Sequence, residues 1–262
     1  MTLHSRTRET EPGFRTALSN RKVQMLIGFL AAAAAASGTA LAVRSTDQAA
    51  GNGFSRTQIE QIVHDYILEH PEILPEAMER LQARRVSQVI ETQRRQIETP
   101  YGGAWEGAKD GDVTIVEFFD YGCGYCRASL PDIARLVDGD KKLKVIYREL
   151  PILSEESKEA ARVSLLAAEQ GRYMPFHKAL YAAGHPTRDS ILAAAAKSGI
   201  DAKEAAAAMA SERRDVEIEN NLKLAQALGA NGTPTFVIGD QVLAGAVGYD
   251  ALKEAIATAR QK

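Results

Sequence analysis

Val113-Thr114-Ile115-Val116-Glu117-Phe118-Phe119-Asp120-Tyr121-Gly122-Cys123-Gly124-Tyr125-Cys126 decides the fold of this 262-residue chain. From Val113 to Phe119 the residues are β-branched or aromatic except Glu117, the composition of a buried strand. Beyond the cysteines, Leu130, Ile133, Ala134 and Val137 recur at helical spacing. A strand, a tight turn and a helix whose first turn carries Cys-x-x-Cys builds a reactive dithiol. Free amides and a partial positive charge at the helix start stabilise a thiolate there.

Cys123 and Cys126 are the two cysteines of the chain, which narrows the alternatives. A structural disulfide closing so short a loop removes little unfolded-state entropy. Structural zinc needs four ligands, and there is no second cysteine pair or nearby histidine pair to complete them. Two thiolates do suit a two-coordinate soft ion such as Cu(I), so a copper-binding module stays open as a rival reading. A scaffold with a vestigial redox domain is another, disfavoured by the presence of both cysteines.

Outward from the dithiol, the composition is that of a soluble globular protein, 45% apolar and 25% charged. The formal charge of −2 and the lack of a basic stripe argue against nucleic acid as a partner. Residues 1–42 read as a signal peptide or amino-terminal membrane anchor: Arg21-Lys22, the apolar run Val23 to Ala36, then Ala40-Leu41-Ala42. Five basic and two acidic side chains lie in that segment, so its removal takes the charge from −2 to −5. Either form exports the rest of the chain, to a compartment where disulfides persist.

Residues 43–56 read as a linker. Thr57-Gln58-Ile59-Glu60 gives a capping-box pattern, and Ile59, Ile62, Val63, Tyr66 and Ile67 mark an apolar stripe. A second helix is expected from about Pro75 to Glu98, with sparse apolar positions Met78, Leu81, Val86, Val89, Ile90 and Ile97. Stripes this narrow suit a helix–helix seam, so residues 57–98 are read as an oligomerisation extension in preference to packing in cis. Residues 99–112 read as a glycine-rich linker in which Trp105 pins the chain to the domain.

The domain itself is expected over 113–262. Leu143 to Arg148 reads as the next strand, residues 155–229 are helical, and Thr235–Ile238 and Gln241–Leu243 form a hairpin through Gly239-Asp240 before a last helix over Tyr249 to Arg260. His177 and His185 in the helical block read as structural or exposed rather than as ligands.

The order β-α-β, helical block, β-β-α, with the cysteine pair after its first strand, resembles the DsbA family over about residues 110–262. That resemblance implies an α/β thioredoxin fold with a helical insertion. Cys123-Gly124-Tyr125-Cys126 matches its redox motif, Glu117-Phe118-Phe119 the stretch before it, and Thr233-Pro234 the cis-proline that faces the dithiol. Ile59 to Leu74 is similar to the extension of the ScsC-type branch, which links disulfide handling to copper tolerance in the bacterial periplasm.

The resemblance implies a thiol–disulfide oxidoreductase without a cofactor. Cys123 is then the exposed nucleophile, Cys126 the resolving thiol, and Glu117 a buried carboxyl that relays a proton to or from Cys126. Thr233 and Pro234 offer backbone to an extended client, the Thr233 hydroxyl tunes the thiolate, and Gly124 and Tyr125 form the contact surface. Gly124-Tyr125 departs from the strongly oxidising members in lacking histidine, which favours isomerase over oxidase activity. The implied partners are unfolded or misfolded exported proteins with cysteines, a membrane redox partner (a DsbD-like reductant or a DsbB-like oxidant) and further copies of the chain.

Overall fold

The computed structural model describes residues 54–261. The targeting segment 1–42 lies outside the described residues, as does most of the first linker. The chain divides at His70 into two units. In the first, helix α1 (Arg56–Glu69) begins two residues earlier than the Thr57 pattern suggests: Ser55 and Gln58 form the reciprocal capping box. Glu60 instead meets Arg56 at 2.8 Å. Ile59, Ile62, Val63, Tyr66 and Leu68 on α1 are exposed.

The second unit opens with α2 (Ile73–Ile97). Its first turns expose Leu74, Met78 and Leu81, whereas Ile90 and Ile97 are fully buried. They pack with Val116, Phe118, Ile146, Leu224, Leu228 and Val237. This corrects the expectation that the whole of 57–98 is an oligomerisation extension: the carboxyl-terminal half of α2 belongs to the domain core. Arg148 is the physical reason. Its guanidinium, 4% exposed, donates to the carbonyls of Ile97 (3.0 Å), Thr99 (2.9 Å) and Gln96, and to the Asn221 side-chain oxygen at 2.7 Å. Carbonyls that no helix turn can satisfy thus find a buried donor.

Five strands form one sheet in the order β1-β3-β2-β4-β5: β1 (Trp105–Gly107), β2 (Val113–Phe119), β3 (Leu143–Glu149), β4 (Thr235–Ile238) and β5 (Gln241–Ala244). β2 and β3 run parallel through the connecting helix α3 (Gly124–Gly139), and the other pairings are antiparallel. The strand β1 falls inside the stretch read as a linker, and three residues are too few to show alternation in a sequence. That stretch is packed: Gly103 donates to the Ala168 carbonyl, and Gly102, at φ +51°, sits where a Cβ would lie 2.7 Å from the same oxygen. Trp105 packs on the core face shared with α2.

The helical insertion comprises α4 (Glu155–Glu169), α5 (Tyr173–Ala183), α6 (Arg188–Lys197), α7 (Ala202–Met209) and α8 (Asp215–Ala227). The last helix, α9, spans Tyr249–Arg260 as its periodicity suggests. Alternation along the strands splits the core. Ile115, Phe119, Val145, Tyr147 and Phe236 face α3, the insertion helices α4 to α7 and α9, while Val116, Phe118, Ile146 and Val237 face α2 and the last insertion helix, α8. Helices therefore cover both sheet faces, as a mixed α/β thioredoxin fold requires. No helix among the described residues is long and apolar enough to cross a membrane.

Candidate active site

β2 ends at Phe119, and four residues later Cys123 is the N-cap of α3 with extended backbone (φ −81°, ψ 116°). Its sulfur takes the place of a capping oxygen, accepting the Cys126 amide at 3.3 Å. Both thiols are free. The nucleophile was expected to be exposed, yet Cys123 is only 5% accessible, because its thiol turns inward and donates to the Thr233 carbonyl at 3.2 Å. That contact engages the Thr233 backbone rather than its hydroxyl. The Thr233–Pro234 peptide bond is cis. Outside the pair, Gly124 is open, and Tyr125 is 71% exposed.

Cys126 is completely buried, and burial pushes its thiol well above the ordinary range, with the neighbouring Glu117 carboxylate adding to the effect. Glu117 projects from β2 into the core, 1% exposed, with one carboxylate oxygen unpartnered. Burial raises its pKa well above the carboxylate range, and the nearby Cys123 and Glu106 raise it further. A neutral carboxyl beside a thiol that resists ionisation can pass a proton between the two. The structure thus brings Cys123, Cys126, Glu117, Thr233, Pro234, Gly124 and Tyr125 to one end of the sheet.

Several buried polar residues escaped the sequence. Asp120 accepts the Gly122 amide at 2.7 Å and the amides of Ile152 and Leu153 at 2.8 and 3.0 Å, tying the dithiol turn to the loop after β3. Aspartate opening a turn before glycine is a readable signal for the first of these bonds; the other two cross the fold. Glu149 is 2% exposed with an unpartnered oxygen, and burial raises its pKa well above the usual range. Tyr121 shares hydrogen bonds with Ser164 (2.8 Å) and His177 Nδ1 (3.1 Å). His177 is structural: burial lowers its pKa to about 3, so its ring is neutral. His185 is exposed beside the dithiol turn, its Cε1 3.7 Å from where a Cβ on Gly122 would stand.

A free thiol capping a helix against a cis-proline loop, with a second thiol and a neutral carboxyl behind it, defines a thiol–disulfide oxidoreductase of the thioredoxin fold. Residues 114–257 match the DSBA-like thioredoxin domain, and the chain belongs to that family. Residues 56–88 match the copper resistance protein ScsC N-terminal domain. Among solved structures, a thioredoxin-like oxidoreductase from Silicibacter pomeroyi DSS-3 is 39% identical with a TM-score of 0.60, covering 63% of this chain and 96% of that one. The catalytic domain of Proteus mirabilis ScsC is 27% identical with a TM-score of 0.60, covering 67% and 99%. The Na(+)/H(+) antiporter NhaA of Herminiimonas arsenicoxydans is 33% identical over 148 residues, 55% of this chain and 23% of that protein. The chain spans about a quarter of the length of the curated relatives it matches.

Proposed function

We propose that this chain is an exported protein disulfide isomerase working through Cys123 and Cys126. The observation that carries the reading is the environment of the Cys123 sulfur: a helix-start amide and a backbone carbonyl hold it, and Gly124-Tyr125 places no histidine between the cysteines. A histidine there would favour the reduced form and make a stronger oxidant. In this reading the Cys123 thiolate attacks a wrong client disulfide. The resulting mixed disulfide either rearranges within the client or is released when Cys126, its proton drawn off by way of Glu117 as that carboxyl gives up its own, attacks Cys123.

An extended client segment pairs with the backbone at Thr233 as an added strand, and Tyr125 offers it an aromatic surface. The amino-terminal order of basic, apolar and small residues supports export to the periplasm. Exposed apolar residues on α1, and separately on the first turns of α2, support assembly of several copies, so that more than one dithiol works on a client. The ScsC match supports a link to copper tolerance. Isomerase work itself requires a reductant for Cys123, and in this reading a DsbD-like membrane partner supplies it. Direct Cu(I) storage is the weaker reading. Both sulfurs would have to ionise, and burial together with Glu117 opposes that at Cys126.

The deciding experiment sets reduced protein against a scrambled multi-disulfide substrate and oxidised protein against a reduced one. Recovery of the scrambled substrate supports the isomerase. Oxidation without unscrambling makes the protein a disulfide-forming oxidase, and inactivity in both assays with stoichiometric copper binding returns the copper reading.

A further inference from the structure

Glu117 lacks an evident route to water. It is 1% exposed, yet a proton passed to or from Cys126 must eventually reach solvent, because client thiols exchange their protons there. The sheet register suggests the route. Glu117 on β2 stands opposite Tyr147 on β3, and Val145, two residues back on the same face, stands opposite Glu106 on β1. Glu106, Tyr147 and Glu117 therefore share one sheet face across three neighbouring strands. The Tyr147 hydroxyl donates to Glu106 Oε1 at 2.5 Å, although Tyr147 is itself 2% exposed. β1 is the sheet edge, and Glu106 Oε2 lies 3.9 Å from the solvent-exposed Lys178 amine. A buried carboxylate oxygen without a partner marks the inner end of this row, and a half-buried carboxylate at the edge marks its outer end.

We propose that Tyr147 and Glu106 form the proton path between Glu117 and solvent. The inference rests on the role given to Glu117 above. When a client thiolate attacks oxidised Cys123, the Cys123–Cys126 bond breaks with its electron pair on Cys126. Glu117 gives its proton to that sulfur. The Tyr147 hydroxyl, whose proton points to Glu106 in the structure, turns it toward Glu117 across one water molecule and takes another from Glu106, itself protonated from water at the sheet edge. One proton enters and one thiolate is neutralised. Resolution by Cys126 runs the shift in reverse.

Tyr147 and Glu106 are thus positioning residues, and their effect must show in the pH profile. Besides Tyr147 and Glu106, the titratable groups around Glu117 are Cys123, Cys126, Glu149, Tyr121 and Tyr181. β4 presents Phe236 opposite Glu117, and α9 packs through Leu252, Ala255 and Ile256, none of which titrates.

The test is single-turnover reduction of the oxidised protein by a small dithiol, followed against pH for the wild type, Tyr147→Phe, Glu106→Gln, Glu117→Gln and the Glu117→Gln/Tyr147→Phe double variant. Thermal melts confirm that each is folded, and Tyr147→Phe removes only an oxygen atom. The expected result is a rate loss of about tenfold in Tyr147→Phe and Glu106→Gln, within the range of one acid–base contribution, with a displaced pH profile. Tyr147→Phe should add nothing on the Glu117→Gln background. Wild-type rates and profiles in Tyr147→Phe and Glu106→Gln, beside a slowed Glu117→Gln, would overturn the path and leave the Glu117 relay standing. So would a Tyr147→Phe loss that is equally large on both backgrounds. An unaffected Glu117→Gln overturns the relay and the path together.

Discussion

Cys123 and Cys126 sit one helical turn apart, yet their surroundings assign them opposite work. Cys123 caps α3 beneath the open surface of Gly124 and Tyr125, and Cys126 is sealed in the core. Cys123→Ser should abolish dithiol exchange. Cys126→Ser should accumulate mixed disulfides with clients, visible as reducible adducts on gels, because Cys123 attacks and nothing resolves the product. Glu117 carries a stability consequence as well. Its folded pKa is raised, so the stability it contributes is complete below the unfolded value near 4.5 and is lost as pH rises through the folded value. Glu117→Gln should therefore raise the melting temperature at pH 8 and leave it unchanged near pH 4. Equal shifts at both pH values would mean that the carboxyl does not titrate as described. His177 has the opposite sign. With its pKa lowered to about 3, its contribution is present above pH 6.5 and is lost as pH falls toward 3.

Elements are joined here by single polar side chains as much as by apolar contact. Arg148 gathers the carboxyl end of α2 to the end of β3, and Asn221 on α8 bridges Arg148 to the Glu149 carbonyl at 3.1 Å. Arg148→Ala would leave buried carbonyls unpaired and should cost about 3 kcal/mol in chemical denaturation, with lost amide protection concentrated in the last turns of α2. A loss below about 1 kcal/mol would make the apolar contacts of Ile90 and Ile97 the principal attachment. Their burial in cis was hidden in the sequence, because a sparse apolar stripe looks the same whether a sheet or a second copy covers it.

In the whole molecule, that correction moves the boundary between catalytic domain and extension. Removing residues 44–98 would take Ile90 and Ile97 out of the core, so the truncation that tests assembly stops at Arg84. On the proposed assembly, deleting 44–84 should leave a folded, active domain that runs as a monomer in light scattering, while the chain from residue 43 onward should run as an oligomer. If both show the same mass, the exposed residues of α1 and early α2 do not drive association. If the proposed isomerase reading holds, recovery of scrambled substrate should fall with the loss of assembly more than simple dithiol oxidation does, since joint action of several dithiols is what the extension would add.

The sequence by itself determined the β-α-β, helical block, β-β-α order, the hairpin at Gly239-Asp240 and the cysteine pair at a helix start. Each rests on local chemistry: strand and helix periodicity, a glycine turn, a strand that ends just before the cysteines. The thioredoxin fold and the residues facing the dithiol were implied by the chain's resemblance to the DsbA family. Only the tertiary structure decided that Cys123 turns its thiol to the Thr233 carbonyl, that β1 pairs with β3, and that α2 is half core. It alone aligned Glu106, Tyr147 and Glu117 across three strands and set Asp120 against the amides of Ile152 and Leu153. These partners lie far apart along the chain. Sequence spacing reports what a single strand or helix does; strand register and burial, which bring distant polar groups together, exist only once the sheet is assembled.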